Sequence, residues 1–414
     1  MMTAVTRGLA QDALASQMRA KASAYRWLVL ACAWGALLIT FVDRLAWGNL
    51  AATVGQSLGL QIGALGVFVT AFYVGYVAAN VGGGIATDLF GPRKALTLSL
   101  LLLGLCTCLF GQVSSVPAGL ALQAMMGLAA GCDYSACVKL TAAWFDIKSR
   151  GRAIGLLMTA TSLAVVLTNA LIPRLLGTQS WHRIYEGMGI ATVVFGLCCL
   201  ALVRDGPLSG QAPRHRLLVG SLFKNWDLLL LAVAGFGAMW GTWGFTFWAN
   251  ALMNKGHGLS VPEAGGITML FGVGAIFSKP LIGLLSDWLG GKRKPLVVAC
   301  LLGFALLLLA FGSLHDAAQF RFIAPFLGVT AFAYSPLLAM MVADAAGPAL
   351  AGSATGLTNA FWQLGSVAVP LVVGAVFQST HSFPAAFMTL AIGPIFAVAI
   401  LLAVGEAKPT LNEE

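Results

Sequence analysis

The stretch Gly84–Lys94, which reads GIATDLFGPRK, decides how this chain folds, because its pattern occurs twice. The second copy, Gly283–Lys294, reads GLLSDWLGGKRK and keeps the glycine, aspartate, glycine and basic residues at the same spacing. Two shorter echoes have almost the same offset: GRAIGL at 151–156 against GSATGL at 352–357, and Tyr-Ser at 134–135 against 334–335. Such repeats indicate that one ancestral half was duplicated, so we expect a binding site between two related halves, as in transporters.

Composition places most of the chain in contact with lipid or with other helices. Apolar residues make up 59% of the sequence and charged residues 9%, and the mean hydropathy is +0.87. Soluble domains carry roughly 25% charged residues. About twelve apolar runs can cross a ~30 Å hydrocarbon layer, and each must be a helix because backbone groups find no other partner in lipid. We therefore predict an all-α integral membrane protein with twelve spans, at 27–53, 61–86, 94–112, 117–145, 151–176, 181–203, 227–253, 263–288, 295–313, 319–343, 351–377 and 384–405.

Basic residues are distributed unequally over the connections between these spans. Most of the 24 lysines and arginines fall on one side, and the opposite side has only Arg183, Lys255 and Arg321. Because positively charged loops stay in the cytoplasm, both termini are predicted to be cytoplasmic, in a bacterial-type inner membrane. The expected units are an N-terminal tail (1–25) that is not a signal peptide, a six-helix bundle (26–203), a linker (204–226), a second six-helix bundle (227–405) and a C-terminal tail (406–414).

The sequence lacks the residue patterns that other classes of protein function require. The net charge of +9 is explained by topology, so no nucleic-acid partner is expected. The eight cysteines lie within apolar runs without metal-ligand spacing, and the five histidines lie in loops or at helix ends. The sequence has no phosphate loop, nucleotide fingerprint or nucleophile–base set. We therefore expect a protein that is not an enzyme and has no metal or cofactor, with transport driven by a gradient.

The predicted twelve helices, the polar central loop and the paired Gly-x-x-x-Asp-x-x-Gly-x-Arg/Lys motif together resemble the major facilitator superfamily over residues 26–405. The resemblance implies two pseudo-symmetric six-helix bundles and a motif that locks the cytoplasmic gate. A charge latch at helix ends is physically reasonable, and a tight turn that only sets topology is the alternative. The gate residues expected from the motif and from the loop between helices four and five are Asp88, Arg93, Asp287, Arg293, Arg150 and Arg152.

Charged residues inside the predicted spans are candidates for the site. An ionisable group in a spanning helix costs ~2.5–3.5 kcal/mol on the mildest scale and usually faces a cavity or a partner. Asp43, Arg44, Asp133 and Lys279 lie deepest. The helix face of Lys279 otherwise carries small residues, which lets another helix approach or leaves a cavity. We expect Arg44 and Lys279, from different halves, to hold a carboxylate between them; a structural ion pair is the alternative for each cation.

Two groups of carriers within this superfamily share parts of the pattern. The segment Lys279–Asp287 resembles the eighth helix of oxalate:formate and monocarboxylate carriers, which usually have arginine where Lys279 stands. Three segments resemble the anion:cation symporters, proton-coupled carriers of sugar acids and related organic acids: Phe41–Ala51, Trp144–Ala153 and Trp181–Arg183. The chain departs from that family at Ala130, where an acid is usual, and Asp133 follows about one turn later.

Asp43 and Asp133 are the expected proton-coupling residues. Protonation removes a buried negative charge, so proton binding and anion binding should favour each other. Adjacent residues on a helix point about 100° apart, so Asp43 and Arg44 are each expected to have another partner. The pattern predicts proton-coupled symport, with uptake of a small organic anion that is a mono- or dicarboxylate, possible examples being an aromatic or a sugar acid.

Aromatic and amide side chains suggest the lining of the cavity. Helix seven carries an aromatic face that ends in two amides, and such a stripe is often only packing. If it lines the cavity, it favours a planar or partly apolar carboxylate over a fully hydroxylated sugar acid. By the repeat, Tyr334 lies near the pseudo-symmetric partner of Asp133. The substrate-binding residues expected beside Arg44 and Lys279 are Trp47, Tyr76, Trp243, Tyr334, Asn359 and Gln363.

Two other functions compete with uptake. A proton-driven exporter or exchanger of organic anions or drugs would share the fold, but helix five lacks the Gly-x-x-x-Gly-Pro-x-x-Gly-Gly run that such antiporters usually have. A receptor that has lost flux would need a signalling domain, and neither the N-terminal tail nor the central loop is long enough to hold one. The expected partners are the anion, H+ and the lipid bilayer, with the monomer as the working unit.

Overall fold

The computed structural model describes residues 2–145, 147–206, 225–289, 292–346 and 351–405, and all regular elements in these residues are helical. A short 3-10 helix, Ile62–Ala64, precedes α2. The α-helices in chain order are α1 (Met2–Ser57), α2 (Leu65–Phe90), α3 (Pro92–Phe110), α4 (Val116–Ala130), α5 (Asp133–Trp144), α6 (Ile147–Leu176), α7 (Trp181–Leu202), α8 (Trp226–His257), α9 (Val261–Trp288), α10 (Arg293–Gly312), α11 (Ala317–Ala346), α12 (Ala351–Thr380) and α13 (Phe383–Ala403).

Two predicted elements differ from the observed ones. Helix α1 begins at Met2, so residues 2–25 of the predicted tail are helical and continuous with the first span. The fourth predicted span is divided into α4 and α5 by Gly131 and Cys132. This division makes Asp133 the first residue of α5 rather than a residue in the middle of one helix, and a helix N-terminus favours negative charge.

Ten helices in the described part of the chain are long and apolar enough to cross a membrane, namely α1, α3 and α6–α13. Helix α2 adds a shorter apolar stretch, Leu65–Asn80. Large apolar side chains such as Leu98, Phe322 and Ile392 are exposed on the outer faces of the helices. Water would oppose that exposure, whereas lipid accommodates it.

The first half of the molecule, α1–α7, and the second half, α8–α13, contain equivalent contacts. Thr40 on the first helix donates a hydrogen bond to Asp133. Thr242 on the first helix of the second half lies 3.0 Å from the Tyr334 hydroxyl. Tyr334 and Asp133 thus make similar contacts in the two halves, each with a threonine on the first helix of its half.

The two halves are in backbone contact at one end of the molecule, and three glycines toward the other end face open space. We call the end with Leu202 and Trp226 the linker end, and the end with Ser57 and Thr380 the far end. Toward the far end, a β-carbon on Gly66 would lie 2.2 Å from Pro370 O, so α2 and α12 are in backbone contact. Toward the linker end, β-carbons on three glycines would meet nothing within 4 Å: Gly155 on α6, Gly283 on α9 and Gly356 on α12.

Helices α6 and α9 show this difference along their length. A β-carbon on Gly272 would lie 2.9 Å from Val165, so the small face predicted for the eighth span permits close packing there. Two turns closer to the linker end, the contact between these helices is the long side chain of Lys279. Beyond it, Gly283 faces open space. Lys279 thus lies between a closely packed stretch and an open stretch of these two helices.

Candidate functional site

Arg44 is buried between the two halves, with 4% of the residue exposed. Its Nε donates a hydrogen bond of 3.1 Å to the Tyr73 hydroxyl on α2, and its second terminal nitrogen donates to the same oxygen. The ion pair present among the described residues joins Arg293 to Asp344, so Arg44 has no carboxylate partner there. A guanidinium has five N–H donors, and this one is therefore a buried cation without a counter-ion among the described residues.

Four aromatic rings surround the Arg44 guanidinium, and we call them the Arg44 cage. The guanidinium carbon lies 4.3 Å from the ring centre of Trp243, 4.6 Å from Tyr73, 4.7 Å from Tyr76 and 5.0 Å from Phe41. Ring faces attract a cation but do not neutralise it. Because Trp243 belongs to the second half and the other rings to the first, the cage spans the boundary between the halves.

Tyr73, like Phe41, is a cage residue that the sequence did not single out for the site. It lies three residues before Tyr76, a spacing that puts both rings on one side of α2. Its hydroxyl also interacts with Ser366 on α12. The Ser366 hydroxyl in turn donates to Gln363 Oε1 at 3.2 Å, so Gln363 reaches the cage through Ser366.

Lys279 is the second cation at the boundary. From α9 its Nζ donates a long hydrogen bond of 3.4 Å to Thr161 Oγ1 on α6, across the two halves. The same nitrogen lies 5.9 Å from the centre of the Phe332 ring. Like Arg44, it has no ion pair among the described residues. A weakly held cation at a parting interface can bind an anion at little structural cost.

Three residues expected at the site lie outside the Arg44 cage. Trp47 is one helical turn from Arg44 and stacks on Phe68 at 4.8 Å, inside the aromatic core of the first half. Tyr334 is held by Thr242 inside the second half. Asn359 is half-buried on α12, and the hydrogen bonds of the described residues do not involve its side chain. The predicted set is thus brought together in part, as Arg44, Tyr76, Trp243 and, indirectly, Gln363.

Asp43 and Asp133 have partners inside the first half, as the angular offset between Asp43 and Arg44 predicts. Asp43 accepts a hydrogen bond of 2.7 Å from Thr192 on α7. Asp133 accepts one from Thr40, and its other oxygen, Oδ1, is buried without a partner among the described residues. Among the described residues, neither acid forms an ion pair with Arg44. The charge of Asp133 is nevertheless close enough to act on Asp43.

A buried polar cluster, which we call the asparagine clasp, joins the two halves near the far end. It consists of Asn49, Asn169, Asn250 and Thr268. Asn250 Nδ2 donates to Asn49 Oδ1 and to Asn169 Oδ1, both at 2.9 Å, and Asn49 Nδ2 donates to Asn169 Oδ1 at 3.1 Å. Thr268 Oγ1 donates to Asn250 Oδ1. The sequence suggested Asn250 only as the end of an aromatic stripe, since its partners come from three other helices.

The predicted gate residues lie at the linker end. Arg93 donates to Leu200 O at 2.6 Å, within the first half. Arg293 pairs with Asp344, within the second half. Arg152 is exposed. Because the side chains of Asp88, Arg150 and Asp287 lie outside the described ones, a latch between the halves stays a prediction.

Comparisons with known proteins agree with this architecture. The family model described as the Major Facilitator Superfamily matches residues 32–370 and 253–413. The chain is 24% identical to a probable galactarate/D-glucarate transporter of Bacillus subtilis (strain 168), over 94% of each protein. It is 23% identical to a probable sulfoacetate transporter of Cupriavidus necator, over 84% of this chain and 87% of that protein.

Solved structures show the same fold. A bacterial homologue of the human lysosomal transporter Spinster, in an inward-facing and occupied conformation, has a TM-score of 0.75 and 14% sequence identity. The similarity covers 92% of this chain and 97% of that one. The family match spans most of the sequence, and the shared fold extends over both halves.

Proposed function

This chain belongs to the major facilitator superfamily, and we propose that it is a secondary active transporter that takes up a small organic anion together with protons by alternating access. The observation that carries the proposal is Arg44, a buried cation at the boundary between the halves for which the described residues provide no counter-ion. Such a group is costly in a membrane unless it serves a substrate or a partner. A bound carboxylate would supply the missing charge.

The substrate is a mono- or dicarboxylate. The relatives named above are described as carriers of galactarate, D-glucarate and sulfoacetate, all of which carry an acidic group. Arg44 can present its planar fork to a carboxylate, and Lys279 can act as a second, point-like charge. The rings of the Arg44 cage add an apolar wall, which favours a partly apolar acid over a fully hydroxylated one.

The cycle that follows uses the two ends of the molecule. We place twelve spans in a bacterial inner membrane, with both termini and the linker end in the cytoplasm and bundles at 26–203 and 227–405. The described state, closed by the asparagine clasp and parted at the linker end, is then inward-facing. Asp43 and Asp133 carry protons, and the motif residues around Asp88 and Asp287 hold the linker end shut in the opposite state. A monomer suffices for this cycle.

Uptake into proteoliposomes tests the function directly. A panel of labelled mono- and dicarboxylates, including a sugar diacid and an aromatic acid, should contain a substrate that accumulates when an inward proton gradient is imposed. Without the gradient the same substrate should only equilibrate. Accumulation under an outward gradient would identify an exporter, and gradient-independent exchange would identify an exchanger. The proposal fails if no carboxylate in the panel is transported.

Loss of the asparagine clasp should shift the balance of the two states. Asn250→Ala removes two donors to the first half and the acceptor of Thr268. The clasped state should lose about 1–3 kcal/mol, which changes the population ratio roughly 5- to 150-fold. A cysteine at the fully buried Ala264 should become reactive, and one at the open Gly356 should react more slowly.

Asn254→Ala is the matched control for the clasp. Asn254 lies one turn further along α8 and bonds to Leu259 O within its own half. Its loss should leave both labelling rates unchanged. Equal labelling of Ala264→Cys in the Asn250→Ala and Asn254→Ala variants would show that the clasp does not hold the far end closed.

A further inference from the structure

A cavity of about 360 Å3 opens at the far end of the molecule, and we call it the far-end vestibule. Its walls come from both halves and include Gln56 on α1, Lys255 on α8, and Phe377 and His381 at the end of α12. The volume lies in the range of small-molecule sites, roughly 300–1,000 Å3. A cavity lined by both halves must change shape when the halves move.

The vestibule is lined by basic side chains and by no acidic ones. The basic residues are Lys255 and His381. Lys255 forms no ion pair among the described residues. It is also one of the few basic residues on this side of the membrane. A recess with one sign of charge and low-dielectric walls concentrates ions of the opposite sign.

His381 is held at the vestibule by an unusual backbone conformation. Its φ is +51°, the one positive φ of a non-glycine residue in the described part of the chain, and its N–H donates to Phe377 O at 2.9 Å to end α12. Gly258 ends helix α8 with a φ of +68°. Glycine is the usual residue at such a cap. The chain instead has a histidine at this cap, and its imidazole lines the vestibule.

The vestibule ends at the asparagine clasp. A second cavity of about 10 Å3 shares Ala52 with it and is lined by Asn49 and Asn250. This space holds about one water molecule. An anion in the vestibule therefore cannot advance until the clasp opens.

We propose that the far-end vestibule is a capture site for a small carboxylate, bound by Lys255 and His381 before the clasp opens. The site deepens the proposed function and rests on it for the identity of the anion. It differs from the Arg44 cage, which lies deeper along the same boundary. Capture raises the local anion concentration at the closed gate and so lowers the KM for uptake.

Cysteine modification tests the charge of the vestibule without relying on transport. Gln56 is an exposed residue in the wall of the vestibule. The Gln56→Cys variant is modified with an anionic and, separately, with a cationic methanethiosulfonate reagent. The ratio of the anionic to the cationic rate is measured after the background from the native cysteines is subtracted. The anionic reagent should be favoured. Adding Lys255→Gln should lower that ratio about three- to tenfold. Succinate should slow the anionic reagent in the first variant and much less in the second.

A reference position and a transport assay complete the test. At Gln112→Cys, on the exposed α3–α4 connection, the ratio should not respond to Lys255→Gln. In uptake assays, Lys255→Gln and His381→Gly should each raise KM several-fold with kcat unchanged, and Arg321→Gln, a basic residue outside the vestibule, should not. His381→Gly also relaxes the backbone, so misfolding is not expected to obscure its effect.

The outcomes separate the two proposals. If the ratio of anionic to cationic modification rates at Gln56→Cys is unchanged by Lys255→Gln, the capture site is overturned, even if uptake is observed. A ratio that depends on Lys255, with protection by succinate but no uptake of any panel member, supports the capture site and overturns the proposed function.

Discussion

Arg44→Ala should reduce carboxylate uptake more than any other single substitution in the molecule. The substrate would lose its bidentate partner, and the Tyr73 hydroxyl would lose the group that holds it. Truncating one member of a buried, hydrogen-bonded charge pair costs about 2–5 kcal/mol. At 1.4 kcal/mol per factor of ten, uptake efficiency should fall roughly 30- to 4,000-fold. Initial uptake rates over a range of substrate concentrations measure the loss.

Lys279→Ala should act in the same direction from the second half. Since Lys279 makes one long hydrogen bond, its removal disturbs the fold less than removal of Arg44. Arg44→Lys and Lys279→Arg should each keep part of the activity, because charge is needed before geometry. If Lys279→Ala transports normally, that cation is structural and the anion is held by Arg44 alone.

Arg26→Ala is the matched control for Arg44→Ala. Arg26 lies on the same helix and also packs against rings, with its guanidinium carbon 5.7 Å from Trp27 and 5.4 Å from Phe145. It lies at the linker end, away from the boundary cage. Normal uptake by Arg26→Ala, together with unchanged thermal stability of both variants, would assign the loss at Arg44 to the site. Equal losses in the two variants would point to a general effect on folding.

The fold could be predicted from the sequence because it depends on apolar run length and on a repeated motif. Apolar run length predicts spanning helices, and the two copies of the Gly-to-Lys motif predict the repeat that the Thr40–Asp133 and Thr242–Tyr334 contacts display. The division between α4 and α5 could not be predicted from the sequence. It depends on how closely α4 packs against α2, where a β-carbon on Gly127 would lie 1.8 Å from Phe72 O.

The site residues that the sequence predicts most directly are those that are charged and lie within apolar spans. Arg44 and Lys279 stand out because ionisable groups are rare in spanning helices. Which side chains meet them depends on the rotation of each helix about its axis. Trp47 therefore points into the core of its own half. Tyr73, which the sequence did not predict as a site residue, faces the guanidinium. The asparagine clasp needs four helices at once, and ordinary asparagines far apart in sequence give no sign of it.

Asp133→Asn should separate proton coupling from substrate binding. Asp133 is buried with Oδ1 unpartnered among the described residues, and a neutral acid is far cheaper to bury there than a carboxylate. Asparagine has the same shape, is neutral and can still accept from Thr40, so it imitates the protonated acid permanently. Gradient-driven accumulation should then disappear. Exchange of substrate for substrate should continue, because it needs no net release of a proton.

Asp43→Asn tests whether the second acid shares that role. Its carboxylate accepts from Thr192, and an asparagine oxygen can take the same bond. Both variants should lose accumulation, while at least one retains exchange. A gradient of one pH unit stores about 1.4 kcal/mol per proton, enough for roughly tenfold accumulation with one coupled proton. The predicted change in internal concentration is therefore from about tenfold to onefold.

The decisive measurement pairs accumulation with counterflow in the same proteoliposomes. Asp316→Asn is the matched control, since this exposed acid caps α11 through the Ala318 N–H and asparagine caps equally well. It should keep both activities. A pH-sensitive dye inside the vesicles should report proton influx on substrate addition for the unmodified protein and for Asp316→Asn. Influx should be absent for Asp133→Asn. If both Asp133→Asn and Asp43→Asn accumulate substrate normally, neither acid is required for coupling, and another group must carry the proton.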